Sequence, residues 1–470
     1  MNRGILNSTK GQKAIQVPLS REQADRLDVP APSVDAVKTD MNSMGKICHG
    51  KHDDERIIFC AAEVQDGGVY LQKSPSDCLD YEHHELVYTT IPARKEGDTP
   101  TDNPDGWTEC VITGRIKNEI YKTPGFPRPL VHPPEVRYRM DDSPGKGVGM
   151  FSTQTLQMGD LIFSERPIIV FPACERAADV WFDSLSEDEI GRFIVKEWNG
   201  VLRYMLKRLS PEKAATFWGL MNVHGSDVDD MRGVMMTNGY RANGMDDDVP
   251  GAPPGGSHGA YESVCEKMCR INHSCQPNCE RFWDKASFSY QIRATRKVEA
   301  GEELFIAHEP LTDRYINILE PYTKRRKSLD VYKFRCTCEA CRNPGPFDAR
   351  RRAYNSAQIS SKEVSNWAAR DLHLPDDHVI RKALKQIRML EDDKLENSPY
   401  YESHLIIILN SYLTLGDLAN SKEWGKKLGR WRSFRNGPEA AGKYFDEKFY
   451  GKENPLWQVR MKAKALKEGV

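Results

Sequence analysis

Two short stretches constrain this chain more than any other. Residues 334–341 read F-R-C-T-C-E-A-C, so Cys336, Cys338 and Cys341 form a C-x-C-x-x-C run. Three thiols at that spacing do not read as ordinary core. They read as ligands of a tetrahedral zinc ion that needs one more donor. Cys275, inside R-I-N-H-S-C-Q-P-N at 270–278, is the best candidate for the fourth. The two stretches lie about sixty residues apart, so a shared metal pins them together in space. Four protein ligands leave no open position, which makes such a site structural. A redox role for Cys338-x-x-Cys341 fits poorly, because Cys336 adds a third close thiol.

The rest of the chain is compatible with an ordinary reducing compartment. Of the twelve cysteines, four are assigned to the proposed zinc site, and the others read as free thiols rather than a disulfide framework. A length of 470 residues allows two or three domains, each with its own core. A formal charge of −1 gives no general attraction to nucleic acid or membrane surfaces. No run approaches the ~18 apolar residues of a membrane span. The N-terminus lacks an apolar signal core, so an intracellular location (cytoplasm, nucleus or both) is expected.

Taken in order, residues 1–45 are polar and aperiodic and read as a disordered lead-in. Residues 46–122 carry short β-prone runs at 57–60, 69–71, 86–91 and 110–113, broken by Gly, Pro and Asp, which predict a small β module. Cys48, His49, His52 and Cys60, even with Cys78, His83 and His84, have poor spacing for a second metal site. A Pro-rich linker follows at 123–134. Strands are expected at 136–139 and 161–163, around a glycine-rich turn from Gly145 to Gly149. Residues 174–263 read as a mostly helical insert. Ser186 with Glu187 and Glu189 supplies a helix start, and Trp198, Leu202, Met205, Leu206 and Leu209 recur at helical spacing. Its end, from Asn243 to Gly259, reads as a flexible loop. Residues 346–470 are helical again. Ile380, Leu384, Ile387 and Leu390 form one apolar face, Leu405, Leu409 and Tyr412 a second, and Trp424, Leu428 and Trp431 a third.

Several motifs fall in one order and resemble a known family. G-K-G-V-G-M-F at 145–151, M-G-D at 158–160, S-E-R-P at 164–167, N-H-S-C-Q-P-N at 272–278, G-E-E-L at 301–304 and Y-K-F-R-C-T-C-E-A-C at 332–341 are similar to a SET domain with its post-SET zinc segment. The resemblance covers roughly residues 135–345, with the SET domain at 135–331 and the post-SET segment at 332–345. It implies an α+β protein: a SET β-fold of small sheets with a threaded C-terminal segment and a helical insert. The β module would precede it and an α-helical repeat-like domain would follow, as in SET-and-MYND proteins. The cysteine-dense MYND finger is missing, since Cys174 stands alone until Cys265.

The family's activity is methyl transfer from S-adenosylmethionine to a protein lysine. By resemblance, Lys146, Gly147 and Gly149 belong to the cofactor loop, and Asn272 and His273 hold the cofactor's amino-acid and adenine parts. Phe334 would pack on the adenine, and Tyr332 would line the lysine channel. The family places a catalytic tyrosine a few residues after G-E-E-L, and here this chain departs from the pattern. Counting forward from Leu304 lands on His308, whereas counting back from Tyr332 lands on Tyr315. The implied function is therefore an S-adenosylmethionine-dependent protein-lysine N-methyltransferase with a structural zinc. Two alternatives stay open: a catalytically diverged interaction module, or a pocket recruited for small-molecule chemistry. The expected partner is a protein with an accessible lysine. The substrate, the methylation state and the oligomeric state are not encoded in any motif.

Overall fold

The computed structural model describes residues 55–59, 69–73, 85–94, 97–99, 101–174, 186–246, 259–308, 319–436 and 438–468. The 1–45 lead-in, the Cys48 to His84 group, most of the 243–259 loop and Tyr315 lie outside the described residues.

Three sheets carry the N-terminal two thirds. The largest runs, edge to edge, Val69–Lys73, Glu55–Phe59, Leu86–Ile91, Thr108–Thr113, Ile169–Pro172, Tyr261–Val264 and Gly239–Arg241. Strands from 46–122 and from 135–331 therefore share one sheet. Their junction is a parallel pairing, with Glu109 opposite Ile169 and Cys110 opposite Val170. Leu86–Ile91 and Thr108–Thr113 are buried along their whole length, which suits central strands covered on both faces. A second sheet has the order Asn272–His273, Glu303–Ile306, Gly147–Ser152, Tyr138–Ser143. A third joins Cys279–Asp284, Ser289–Ala294 and Leu161–Glu165.

The hairpin between Tyr138–Ser143 and Gly147–Ser152 follows from its turn residues. Pro144 takes the position that favours φ near −65°, and Gly145 takes the next with φ 74°, which suits glycine. The Lys146 N–H then donates to the Ser143 carbonyl at 2.8 Å and closes the turn.

The insert begins as the sequence indicates. Helix Glu187–Lys207 starts with a reciprocal capping box between Ser186 and Glu189. Trp198, Leu202, Met205 and Leu206 are buried against the large sheet, where the Tyr88 hydroxyl donates to the Val201 carbonyl at 3.0 Å. Two shorter helices, Pro211–Trp218 and Asp230–Asn238, follow. The insert then closes on strands, because Gly239–Arg241 and Tyr261–Val264 extend the large sheet.

Helices Tyr322–Leu329, Pro344–Ser356, Ser361–Ala369, His378–Asp392, Pro399–Leu415, Leu418–Asn436 and Val459–Glu468 build the C-terminal part. Ile380, Ile387 and Leu390 meet Leu405, Leu409, Leu428 and Trp431 in one core. Gly416, at φ 72°, ends the Pro399–Leu415 helix and lets the chain turn back. Among the described residues, no helix is long and apolar enough to cross a membrane.

Candidate functional site

The site forms where the second sheet brings three distant stretches together. Glu303 stands on the strand between the glycine hairpin and Asn272. Its Oε1 accepts from Ser143 Oγ at 2.8 Å and from Asn272 Nδ2 at 2.8 Å, and its Oε2 accepts from Lys146 Nζ at 2.6 Å. Asn272 Nδ2 also donates to the Val148 carbonyl at 3.3 Å. A Cβ on Gly149 would lie 2.8 Å from Glu303 Oε1 and 2.9 Å from Ser143 Cβ, so this position has room for glycine alone. Gly145 and Gly147 differ. They adopt φ 74° and 77° and face open space, which leaves the backbone approachable.

Asn272–His273 pairs in parallel with Glu303–Ile306, with Asn272 opposite Phe305 and His273 opposite Ile306. This register places His308 beside His273. The His308 backbone N–H donates to His273 Nδ1 at 2.9 Å, so the neutral ring carries its proton on Nε2, which lies 3.4 Å from Cys275 Sγ. The His308 ring packs edge-on against His273, Tyr332 and Tyr240, with centroids 5.4, 5.5 and 6.1 Å away. Phe334 lies 5.7 Å from His273 and 6.3 Å from His308 and remains 36% exposed, an open aromatic face beside a buried cluster. His308 Nε2 lies 3.1 Å from the Ile271 carbonyl, which can only accept, so Nε2 carries the proton and Nδ1 has the lone pair. Burial pushes the His308 pKa down to about 4, and nearby Arg281 acts in the same direction. Burial raises the Tyr240 hydroxyl well above its ordinary value.

The four expected metal ligands converge. The sulfurs of Cys275, Cys336, Cys338 and Cys341 all lie within 4.8 Å of one another, and Cys275 and Cys341 are 3.6 Å apart. Sulfurs bound at ~2.3 Å to one zinc ion stand about 3.8 Å apart at the corners of a tetrahedron, so the set fits the ion. The surroundings fit it as well. Buried Arg325 places Nη2 3.9 Å from Cys341 Sγ and 3.3 Å from the Ala340 carbonyl, and pairs with Asp348 at 3.2 Å. Buried Arg351 donates to the Cys275 carbonyl at 3.5 Å. Gln276 accepts from the Ala340 N–H at 3.0 Å and donates to the Asp393 carbonyl at 2.9 Å, tying the N-H-S-C loop to the cysteine segment and the helical part. Among the nine described free cysteines, Cys265 and Cys279 are buried as packing residues.

Lys146, Gly147, Gly149 and Asn272 therefore meet around Glu303, while His273, His308, Tyr332 and Phe334 form the ring cluster next to them. The Lys146 side chain is engaged with Glu303 and the Phe305 ring, 4.6 Å from its ammonium, so its backbone is the part left for a ligand. Sequence reasoning missed Glu303 and Tyr240. Glu303 sits inside G-E-E-L, but its partners show only once the strand order is known. Tyr240 comes from the end of the insert and carries no motif.

Residues 147–309 match the SET domain family, and this stretch of the chain is a SET domain. Three relatives set its neighbourhood. "Histone-lysine N-methyltransferase set5" of Schizosaccharomyces pombe is 22% identical over 205 residues, 43% of this chain and 50% of that one. "SET domain and MYND-type zinc finger protein 6" of the same organism is 39% identical over 77 residues, 16% and 14% of the two chains. "Histone-lysine N-methyltransferase SMYD3" of Mus musculus is 40% identical over 75 residues, 16% and 15%. The chain thus spans half the length of the first relative and about a seventh of the other two.

Proposed function

We propose that this protein is an S-adenosylmethionine-dependent methyltransferase acting on lysine side chains of an intracellular protein. The observation that carries this reading is the junction of two features on one strand pair. Asn272 bonds the glycine hairpin, and its neighbour His273 opens the aromatic cluster of His308, Tyr332, Tyr240 and Phe334.

When bound, S-adenosylmethionine supplies a methyl group activated by a sulfonium. The chain must align the amine and present it uncharged. A free lysine has a pKa near 10.4, so about one in a thousand is neutral at neutral pH. A ring-walled, poorly solvated channel lowers that value and holds the alkyl stem. The hairpin backbone at Lys146 and Gly147, with Asn272, would hold the methionine part, and the open face of Phe334 would take the adenine. Tyr332 and the His308 imidazole would orient the amine. The four cysteines would hold a structural zinc that fixes Tyr332 and Phe334 in place.

One observation favours a second reading, a diverged SET protein whose job is binding. His308, an imidazole, stands two residues past the end of the Glu303–Ile306 strand, where the forward count from G-E-E-L calls for a tyrosine by family resemblance. Transfer of labelled methyl groups from S-adenosylmethionine to extract proteins and histones separates the two, histones being the substrates in the relatives' names. We expect incorporation by the wild type and a loss of about tenfold or more in Tyr332→Phe. A fall in Tyr315→Phe but not in His308→Ala would give Tyr315 the tyrosine's role. Cofactor binding with no incorporation into any protein overturns the methyltransferase reading.

A further inference from the structure

Asn272 is held in one orientation by groups that can only accept hydrogen bonds. Its carboxamide nitrogen donates to the Glu303 carboxylate at 2.8 Å and to the Val148 carbonyl at 3.3 Å. Neither partner has a proton to give, so the assignment of nitrogen and oxygen is fixed by chemistry. Both N–H bonds of Asn272 are thereby used. Its Oδ1 meets no hydrogen-bond donor among the described residues. Glu303 itself is locked: Lys146 and Ser143 hold it from the hairpin side, Gly149 lies against it, and its side chain is only 12% exposed.

We propose that Glu303 is a positioning residue that presents Asn272 to the ligand as an acceptor, so that the site selects an α-ammonium group. The inference rests on the S-adenosylmethionine reading above. An oxygen with lone pairs and no hydrogen can receive a ligand ammonium and cannot donate to a ligand carboxylate. An ammonium donor makes that hydrogen bond charge-assisted, which raises its worth. Were the carboxamide to flip, Oδ1 would face the Glu303 carboxylate, and that repulsion keeps the orientation. A glutamine at 303 removes the constraint, because its amide can donate to a flipped Asn272.

Titration calorimetry on the full chain tests this with two thioether nucleosides, S-adenosylhomocysteine and its counterpart lacking the α-amino group. The wild type should prefer the aminated compound by about ten- to a hundred-fold, the worth of one charge-assisted hydrogen bond. Glu303→Gln should collapse that preference to below about threefold while leaving the deaminated compound's affinity nearly unchanged. A role limited to folding would weaken both compounds alike, and that result overturns the proposal. Asn272→Ala leaves the bonds of Glu303 to Lys146 and Ser143 in place and should lose the same preference, with no further loss in the double variant. If Glu303→Gln does not fold, undiminished preference in Asn272→Ala overturns the proposal on its own. A wild type that binds neither compound overturns the methyltransferase reading and the selection with it. A wild type that discriminates beside a Glu303→Gln that still discriminates overturns only the role of Glu303.

Discussion

His308 donates its backbone N–H to Nδ1 of His273, and the opposite nitrogen of that same ring faces the sulfur of Cys275. One imidazole therefore joins the end of the G-E-E-L strand to the thiol cluster. With a zinc ion bound, its Nε2–H would support a thiolate on Cys275, in the way a hydrogen-bonded neighbour orients a metal ligand.

The metal cluster should consequently hold up the ring cluster as well as its own loop. Elemental analysis should find about one zinc per chain, falling close to zero in Cys338→Ser or after chelation under mild denaturant. Loss of the ion should lower Tm by roughly 3–5 °C, a few kcal/mol for a chain of this size. Cys265→Ser, outside the cluster, should keep the zinc. A zinc-free wild type with unchanged Tm would remove the metal from the structure's support.

Acid should destabilise the protein through two buried imidazoles. Burial holds His308 near a pKa of about 4, and His404, beside the Tyr354 hydroxyl at 3.1 Å, at about 4 as well. Both lie below the ordinary histidine value, so between roughly pH 6.5 and 4 the unfolded chain binds more protons than the folded one. The stability from these groups is complete above pH 6.5 and is lost as pH falls through the folded values. Urea unfolding at pH 7.5 and pH 5 should show the loss. His404→Gln should shrink the difference between the two, and an unchanged difference would clear His404 of the effect.

The glycines of the hairpin should respond unequally. At Gly149 a methyl group collides with Glu303, Ser143 and Asn272, none of which can yield without breaking the network. Gly149→Ala should cost about 1–3 kcal/mol and weaken nucleoside binding by more than tenfold. At Gly147 the space is open and only the positive φ resists, a cost of about 1–2 kcal/mol with the Glu303 contacts intact. Equal losses of binding in the two variants would mean that the loop, rather than the Glu303 network, sets affinity.

Much of this was legible because local chemistry dictates it. The C-x-C-x-x-C spacing announced a thiol cluster, Ser186 and Glu189 a helix start, and the apolar spacing around Ile380, Leu405 and Leu428 three packed helices. What escaped is what depends on strand order. The union of Thr108–Thr113 with Ile169–Pro172 is a parallel pairing across more than fifty residues, and no turn residue announces it. Glu303 reads as half of an acidic pair until the sheet sets it between Lys146 and Asn272.

Arg435 makes one of the contacts between the helical part and the SET strands, alongside that of Gln276 with Asp393. From helix Leu418–Asn436 it meets both oxygens of Glu280 at 2.8 and 2.9 Å and donates to the Asn397 carbonyl at 3.3 Å. Its guanidinium lies over Trp431 and Phe282, while Phe434 packs edge-on against Phe282 at 4.9 Å. The pair is partly exposed, 29% and 24% of the two side chains, so solvent screening trims its worth. Arg435→Ala should therefore cost about 1–2 kcal/mol, from the lost stacking as much as from the charge. Glu280→Gln keeps the stacking and should cost less than about 1 kcal/mol. If the helical part docks chiefly through this corner, Arg435→Ala should also raise hydrogen exchange in residues 279–284 ahead of global unfolding. Exchange unchanged there would place the docking on Gln276 and Asp393 instead.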